Sequence, residues 1–178
     1  MNKALFCLII VLFGTSAYAV QPRKSILSCP LADGTKISLL AEPTAEGQRL
    51  LLELDHKIET AFSDMPDSDF LGEVALAKCA QSSLVFAINY GSPYLKGAVI
   101  RKNPATYKIE RINFAEKSLP SYLYLGRTRM RLLIPNIGNE VSTKFVVYDY
   151  LSEKGQPDEA TGVDAVPSKR GFKFIQLK

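Results

Sequence analysis

The sequence predicts an all-β protein in which antiparallel meanders form an incomplete propeller-like or sandwich domain with one disulfide bond. The first observation is a series of about nine or ten short runs rich in Val, Ile, Leu, Phe and Tyr, at spacings of roughly 8–14 residues. Gly, Pro, Asn and Asp occupy the breaks between these runs. The second is segment 82–116, where three such runs follow one another with only short turns between them. The third is the cysteine pair Cys29 and Cys79.

Residues 1–19 have the pattern of a secretory signal peptide. Lys3 supplies a positive start, 4–13 is an apolar run, and 17–19 reads Ala-Tyr-Ala, a small-x-small cleavage site. The apolar run is shorter than the about 20 residues that span a bilayer as a helix, so a retained anchor is the weaker alternative. We therefore expect residues 20–178 to be a single periplasmic or secreted domain, with no membrane span after signal removal.

The cysteines predict a disulfide. Cys7 falls within the signal peptide, which leaves Cys29 and Cys79. An even pair in an oxidising compartment favours a bond between them, and two separate buried thiols are the alternative. Closing a loop of about 50 residues would stabilise the fold by roughly 4 kcal/mol on the chain-entropy account.

The N-terminal part of the domain predicts a hairpin. Residues 20–28 predict an exposed lead-in, and 29–34 contain an Asp-Gly turn signal. Segments 36–41 and 48–55 alternate apolar and polar residues, which predicts two paired strands. A helix competes over 50–62, because apolar residues recur there at intervals of four. These residues are Leu50, Leu54, Ile58 and Phe62.

An acidic segment follows at 63–72. Asp64, Asp67 and Asp69 lie within it, and Glu73 comes directly after it. Clustered carboxylates can bind calcium, and a carboxylate pair could serve a glycosidase. The spacing lacks the alternating D-x-D-x-D-G pattern of a calcium loop, so the sequence favours a solvated loop and leaves calcium binding open.

The remaining predicted elements are a strand over 73–78, the meander over 82–116, a hairpin of 121–125 and 129–134, a strand over 144–151, a long polar loop at 152–170, and a terminal strand over 171–177. A structureless loop as long as 152–170 is usually functional or mobile. Segment 131–155, where one strand leads to another with an aromatic-Asp pair, resembles a propeller blade.

The sequence contains no motif of a catalytic site. His56 is the only histidine in the sequence, and no G-x-S-x-G nucleophile motif occurs. One histidine and two paired cysteines do not make a zinc site. The formal net charge of +4 is too small to argue for nucleic-acid binding. We therefore expect a protein that is not an enzyme, holds no metal or other cofactor, and has no nucleic-acid partner.

Two surfaces are candidates for contact with a protein partner. The first is the first turn of the meander, where a tyrosine stands on each side of a Gly-Ser-Pro sequence: Tyr90, Gly91, Ser92, Pro93 and Tyr94. Tyrosine is a favoured contact residue at interfaces. An ordinary hairpin turn, with the tyrosines packed on the sheet, is the alternative.

The second candidate surface is a row of arginines. Arg127, Arg129 and Arg131 alternate along a predicted strand and would share one face, where they could bind carboxylates or phosphates. A solvent face paired with cross-strand acids such as Glu110 or Glu116 is the alternative.

The Gly91, Ser92 and Pro93 turn between two strands, the signal peptide and the chain length together resemble periplasmic immunity proteins of type VI secretion peptidoglycan amidases. Some members of that group have an incomplete-propeller fold and insert a small serine-containing loop into the groove of the enzyme. The resemblance implies an exported inhibitor of a cell-wall hydrolase, with Ser92 in the blocking loop. The alternative is a module that binds envelope glycan or a small anionic ligand.

Overall fold

The structure is a computed structural model, and it describes residues 22–45, 47–62, 64, 73–138 and 142–178. Every regular element in these ranges is a β-strand, and the strands form three antiparallel sheets. The predicted all-β antiparallel class is confirmed. Within these ranges, no helix has the length and apolar character needed to cross a membrane. The predicted signal peptide, 1–19, lies outside the described residues.

The first sheet has the strand order β1-β2-β3-β4. Its strands are β1 (Lys24–Pro30), β2 (Lys36–Pro43), β3 (Gln48–Leu54) and β4 (Lys57–Thr60). The predicted hairpin of β2 and β3 is confirmed, with Leu39 opposite Leu52. The competing helix over 50–62 does not form. Asp55 and His56 have φ of 49° and 63° and make a two-residue turn that reverses the chain between β3 and β4.

Strand β1 corrects the prediction of an exposed lead-in over 20–28. Its residues pair with β2 from Lys24, opposite Ala41, to Pro30, opposite Lys36. β1 lies at the edge of the first sheet, so much of its surface faces solvent and its sequence can stay polar. It contacts the core through the fully buried Cys29 and the partly buried Ile26 and Leu27.

The middle sheet has the strand order β5-β6-β7-β8. Its strands are β5 (Val74–Cys79), β6 (Ser83–Gly91), β7 (Tyr94–Lys102) and β8 (Ile109–Glu116). Strand β6 is buried on both faces, since Leu84 and Phe86 pack in the core shared with the first sheet, whereas Val85 and Ala87 pack in the core shared with the third sheet. The middle sheet therefore lies between the other two.

The third sheet has the order β12-β11-β10-β9-β14, with β13 also paired to β11. Its strands are β9 (Tyr122–Leu125), β10 (Arg129–Pro135), β11 (Phe145–Leu151), β12 (Gln156–Pro157), β13 (Thr161–Val163) and β14 (Lys173–Gln176). Segment 152–170 therefore includes two very short strands beside β11. It also covers the outer face of this sheet, where the buried Tyr124 donates a hydrogen bond to the Pro167 carbonyl at 3.0 Å.

The three sheets are tied together by specific bonds as well as by apolar packing. Cys29 on β1 and Cys79 on β5 form the predicted disulfide, with Cα atoms 5.4 Å apart, which joins the first sheet to the middle sheet. Arg101 on β7 donates a hydrogen bond to the carbonyl of Gly126 at 2.7 Å, which joins the middle sheet to the third. Both links lie at the end of the middle sheet opposite residues 90–94, since Cys79 pairs with Leu84 and Arg101 pairs with the adjacent Ser83.

Candidate functional site

Residues 90–94 form an exposed hairpin end, the tip, between β6 and β7. Gly91 pairs with Tyr94, which leaves Ser92 and Pro93 as the turn. The peptide bond between Ser92 and Pro93 is cis, and Gly91 has a φ of 137°, which side-chain-bearing residues rarely adopt. Tyr90 and Tyr94 are 53% and 48% exposed. The structure therefore places five of the eight predicted contact residues, those of the tip, at one end of the middle sheet.

Lys96 supports the tyrosine ring on one side of the tip. Its side chain is largely buried, and Nζ lies 5.4 Å from the centroid of the Tyr90 ring and 5.3 Å from that of Phe62. The same Nζ donates to Asp64 Oδ2 at 2.5 Å, and this hydrogen bond holds the pKa of the Asp64 carboxyl below its usual value. Tyr90 is therefore positioned by a cation that is itself anchored.

Lys117 plays the corresponding part for Tyr94. Its Nζ lies 5.6 Å from the Tyr94 ring centroid and donates a hydrogen bond to the carbonyl of Gly138. Ile137, next to Gly138, is 60% exposed. The candidate surface therefore extends from the tip to Ile137. This extension was not predicted from the sequence. The signal for it is the register of β7 and β8, which pairs Leu95 with residue 116 and so places residue 117 beside Tyr94.

Arg129 and Arg131 lie on β10 and share the carboxylate of Asp149 on β11. The Nε and Nη2 atoms of Arg129 donate to Asp149 at 3.0 and 2.6 Å, and those of Arg131 donate at 2.9 and 3.0 Å. Burial raises the pKa of Asp149, but the hydrogen bonds from the two arginines outweigh it, so the pKa lies below its usual value. Within the described residues, Asp149 thus takes the place predicted for Glu110 or Glu116.

Arg127 does not share this face. Strand β10 begins at Arg129, so Arg127 lies exposed in the connection between β9 and β10. The side chain of Arg131 is only 14% exposed, and its guanidinium carbon lies 5.7 Å from the ring centroid of Phe172. The predicted row of three arginines is therefore reduced to two that are paired with Asp149 and one that stands apart.

The acidic segment contributes to the tip through Asp64. Asp67 and Asp69 lie outside the described residues, and Glu73 lies exposed before β5. In the ranges that the structure describes, no group of three or more His, Cys, Asp or Glu residues is placed to hold a metal ion. The role that the structure gives Asp64 is to anchor Lys96.

Comparison of the chain with protein-family models, curated proteins and solved structures gives no match. The candidate site is therefore defined by its geometry alone. It consists of the tip, the two lysines beneath its tyrosines, and the neighbouring Ile137.

Proposed function

We propose that the protein is an exported, non-enzymatic inhibitor of a peptidoglycan hydrolase, of the immunity type, and that the tip blocks the active-site groove of the enzyme. The observation that carries the proposal is the pair of half-exposed tyrosines on either side of the Ser92–Pro93 turn. The resemblance to immunity proteins of type VI secretion amidases supplies the class of partner. Ser92 is the residue that this role would place deepest in the groove.

The shape of the tip supports insertion into a groove. Paired strands lie about 4.8 Å apart, so a hairpin that closes with two residues presents a narrow end. Tyr90 and Tyr94 broaden that end with aromatic surface, which fits residues that contact the walls of a groove while Ser92 lies at its floor. Tyrosine gives a large contact area with few rotatable bonds.

The lysines support the same role, because they hold the rings before any partner binds. Lys96 lies close to the Tyr90 ring and is fixed by Asp64, and Lys117 lies close to the Tyr94 ring. A cation near an aromatic face attracts it by about 0.5–1 kcal/mol at an exposed site. Contact groups that are already ordered lose less conformational entropy on binding.

The disulfide supports export. A bond such as that between Cys29 and Cys79 persists in oxidising compartments and is rare in the cytosol. The signal-like residues 1–19 agree with the same destination. A periplasmic or secreted protein would meet peptidoglycan hydrolases where they act.

The test is an inhibition assay with purified protein and a panel of peptidoglycan amidases, scored by the release of soluble fragments from purified cell-wall sacculi. We expect stoichiometric inhibition of at least one amidase. Ser92→Trp, which enlarges the end of the turn, should abolish it. Tyr107→Ala is the matched control, because Tyr107 is 60% exposed but lies beyond the opposite end of β7.

Each part of the proposal has its own contradicting result. Inhibition that survives Ser92→Trp would exclude the tip as the blocking element. Neither binding nor inhibition across the amidase panel would exclude this class of partner. Release of soluble fragments by the protein alone would show that the protein is an enzyme. If the Asp64 carboxylate only anchors Lys96, that release should persist in Asp64→Asn.

A further inference from the structure

A concave site, distinct from the projecting tip, lies at the other end of the β6–β7 hairpin, between the middle and third sheets. It is a pocket of about 270 Å³. Its lining includes Ser83, Arg101, Leu125, Arg127 and Lys173. Ser83 is eight residues before Gly91 along β6, which corresponds to about 26 Å at the rise of an extended strand. The pocket is therefore a separate surface from the tip.

Two buried donors belong to residues that line this pocket. Ser83 and Arg101 are paired directly across β6 and β7, so their side chains lie side by side on one face. The Ser83 side chain is fully buried, and its hydroxyl has no hydrogen-bond partner in the described part of the chain. Arg101 Nη2 forms an ion pair with Glu110 Oε2 at 2.6 Å, although the contact lies outside hydrogen-bond geometry.

Buried polar groups in folded proteins are nearly always hydrogen-bonded, because leaving a donor without a partner costs about 1–3 kcal/mol. The Ser83 hydroxyl, next to an arginine that lines the same pocket, therefore indicates a site for an acceptor. Arg101 is held firmly in place, since its Nε donates to Glu110 at 2.6 Å and its Nη1 to Gly126 at 2.7 Å. The donors are fixed in position before a ligand arrives.

The charges around the pocket favour an anion. Of the four cations that line it, Arg101 is neutralised by Glu110, and Lys102 forms an ion pair with Asp33 at 2.5 Å. Arg127 and Lys173 are exposed, and neither has a carboxylate partner among the residues that the structure describes. Two positive charges therefore stand at the mouth of a pocket whose lining includes the Ser83 hydroxyl and the ion-paired Arg101.

We propose that this pocket binds the oxyanion of a small molecule, a carboxylate or a phosphate. In the bound state, Ser83 and Arg101 donate to the oxyanion from the inner wall, and Arg127 and Lys173 neutralise its charge from the rim. The pocket volume of about 270 Å³ lies just below the usual range for ligand sites, about 300–1,000 Å³. The ligand is therefore compact, of the size of a phosphate ester or a single sugar acid, and its body packs against Leu125.

The experiment is an NMR titration of the ¹⁵N-labelled full-length domain with three probes: inorganic phosphate, glucuronate, and glucose as the neutral match for glucuronate. We expect saturable shifts of residues in 81–83, 101–104 and 125–127 with at least one of the two anions, and no saturable shift with glucose. Phosphate binding alone would assign a phosphate ligand, and glucuronate binding alone would assign a carboxylate.

The variants separate contact from general electrostatics. Arg127→Gln and Lys173→Gln should each raise the Kd of the anion about tenfold, as expected for loss of a charge-assisted hydrogen bond. Ser83→Ala should raise it severalfold with no change in net charge. Arg170→Gln is the control, because Arg170 is exposed and lies outside the pocket lining. It removes the same charge and should leave the Kd unchanged.

Three results would overturn the proposal: no saturable binding of either anion, glucose binding as tight as that of glucuronate, or an equal loss with Arg170→Gln and Arg127→Gln. The proposal does not depend on the inhibitor role. Ser92→Trp should leave anion binding unchanged, and Arg127→Gln should leave inhibition of an amidase unchanged.

Discussion

Arg131 on β10 and Asp149 on β11 stand directly opposite each other, and the guanidinium donates two hydrogen bonds to the carboxylate, at 2.9 and 3.0 Å. Arg129, two residues earlier on β10, donates two more to the same carboxylate. Both side chains of the Arg131–Asp149 pair are 14% exposed. Two of the three arginines that the sequence places in a row therefore form an ionic cluster with Asp149 that ties neighbouring strands together.

Asp149→Asn should destabilise the protein by about 2 kcal/mol at pH 7, because it removes charge-assisted hydrogen bonds and leaves two guanidinium groups side by side. The measurement is the free energy of unfolding by chemical denaturation. Asp158→Asn is the control, since Asp158 pairs with Lys154 in an exposed ion pair. It should change the free energy by about 0.5 kcal/mol or less.

The stabilisation by Asp149 should also depend on pH. Its pKa is lower in the folded protein than the unfolded value of about 3.9, because the arginine hydrogen bonds outweigh the effect of burial. The contribution is therefore fully present above the unfolded pKa and is lost as the pH falls through the folded pKa. The difference in unfolding free energy between wild type and Asp149→Asn should stay level from about pH 7 to 5 and shrink below about pH 4. A difference that grows on acidification would contradict the assignment.

Removal of the disulfide by Cys29→Ala with Cys79→Ala should cost about 4 kcal/mol, because the bond closes a loop with a sequence separation of 50 residues. The measurement is denaturant unfolding with and without a reducing agent. Reduction of the wild type should reproduce the loss, and it should leave the double variant unchanged. A loss under about 1 kcal/mol would show that packing alone holds the first and middle sheets together.

The elements that local pattern dictates were predictable. The pairing of Leu39 with Leu52 follows from the alternation of apolar residues in β2 and β3, and the meander follows from its turn residues. Strand β1 was not predictable, because the adjacent Ile26 and Leu27 break the alternation of a strand at the point where its register with β2 shifts. The partner of Arg131 was not predictable either, since Asp149 is brought to it by strand pairing 18 residues away in sequence. Tertiary pairing, rather than local preference, decides such contacts.

Gly97→Ala should destabilise the protein by about 2–3 kcal/mol through overpacking. A Cβ at Gly97 would lie 2.3 Å from Cζ of Phe114 and 2.3 Å from the carbonyl oxygen of Phe86. Both phenylalanines are buried, so neither can move aside freely. Gly155→Ala is the control: Gly155 has φ of +69° but open space around its Cβ position, and only backbone strain of about 1 kcal/mol is expected. Unfolding free energies that fall equally in the two variants would contradict the packing argument.

Ser83→Ala should leave the stability of the unliganded protein unchanged or raise it by about 1 kcal/mol, because it removes a buried hydroxyl that has no partner in the described part of the chain. Ser152→Ala is the matched comparison, since its hydroxyl accepts a hydrogen bond from Asn103 at 2.9 Å. That variant should lose about 1–3 kcal/mol. Thermal and chemical unfolding would both show the contrast. A clear destabilisation by Ser83→Ala would mean that the hydroxyl serves the fold rather than a ligand.

Removing the two tyrosines of the tip should weaken binding of an amidase but should change the free energy of unfolding little. Loss of both rings in Tyr90→Ala with Tyr94→Ala leaves Lys96 with its ion pair to Asp64, and both replaced side chains are about half exposed. We therefore expect a change in unfolding free energy within about 1 kcal/mol. The Kd for an inhibited amidase should rise by about 30-fold for each ring, as for buried aromatic anchors at interfaces. Tyr107→Ala, which removes an equally exposed ring beyond the other end of β7, should change neither quantity. If it weakens binding as much as the double variant does, the contact surface lies at the opposite end of the middle sheet.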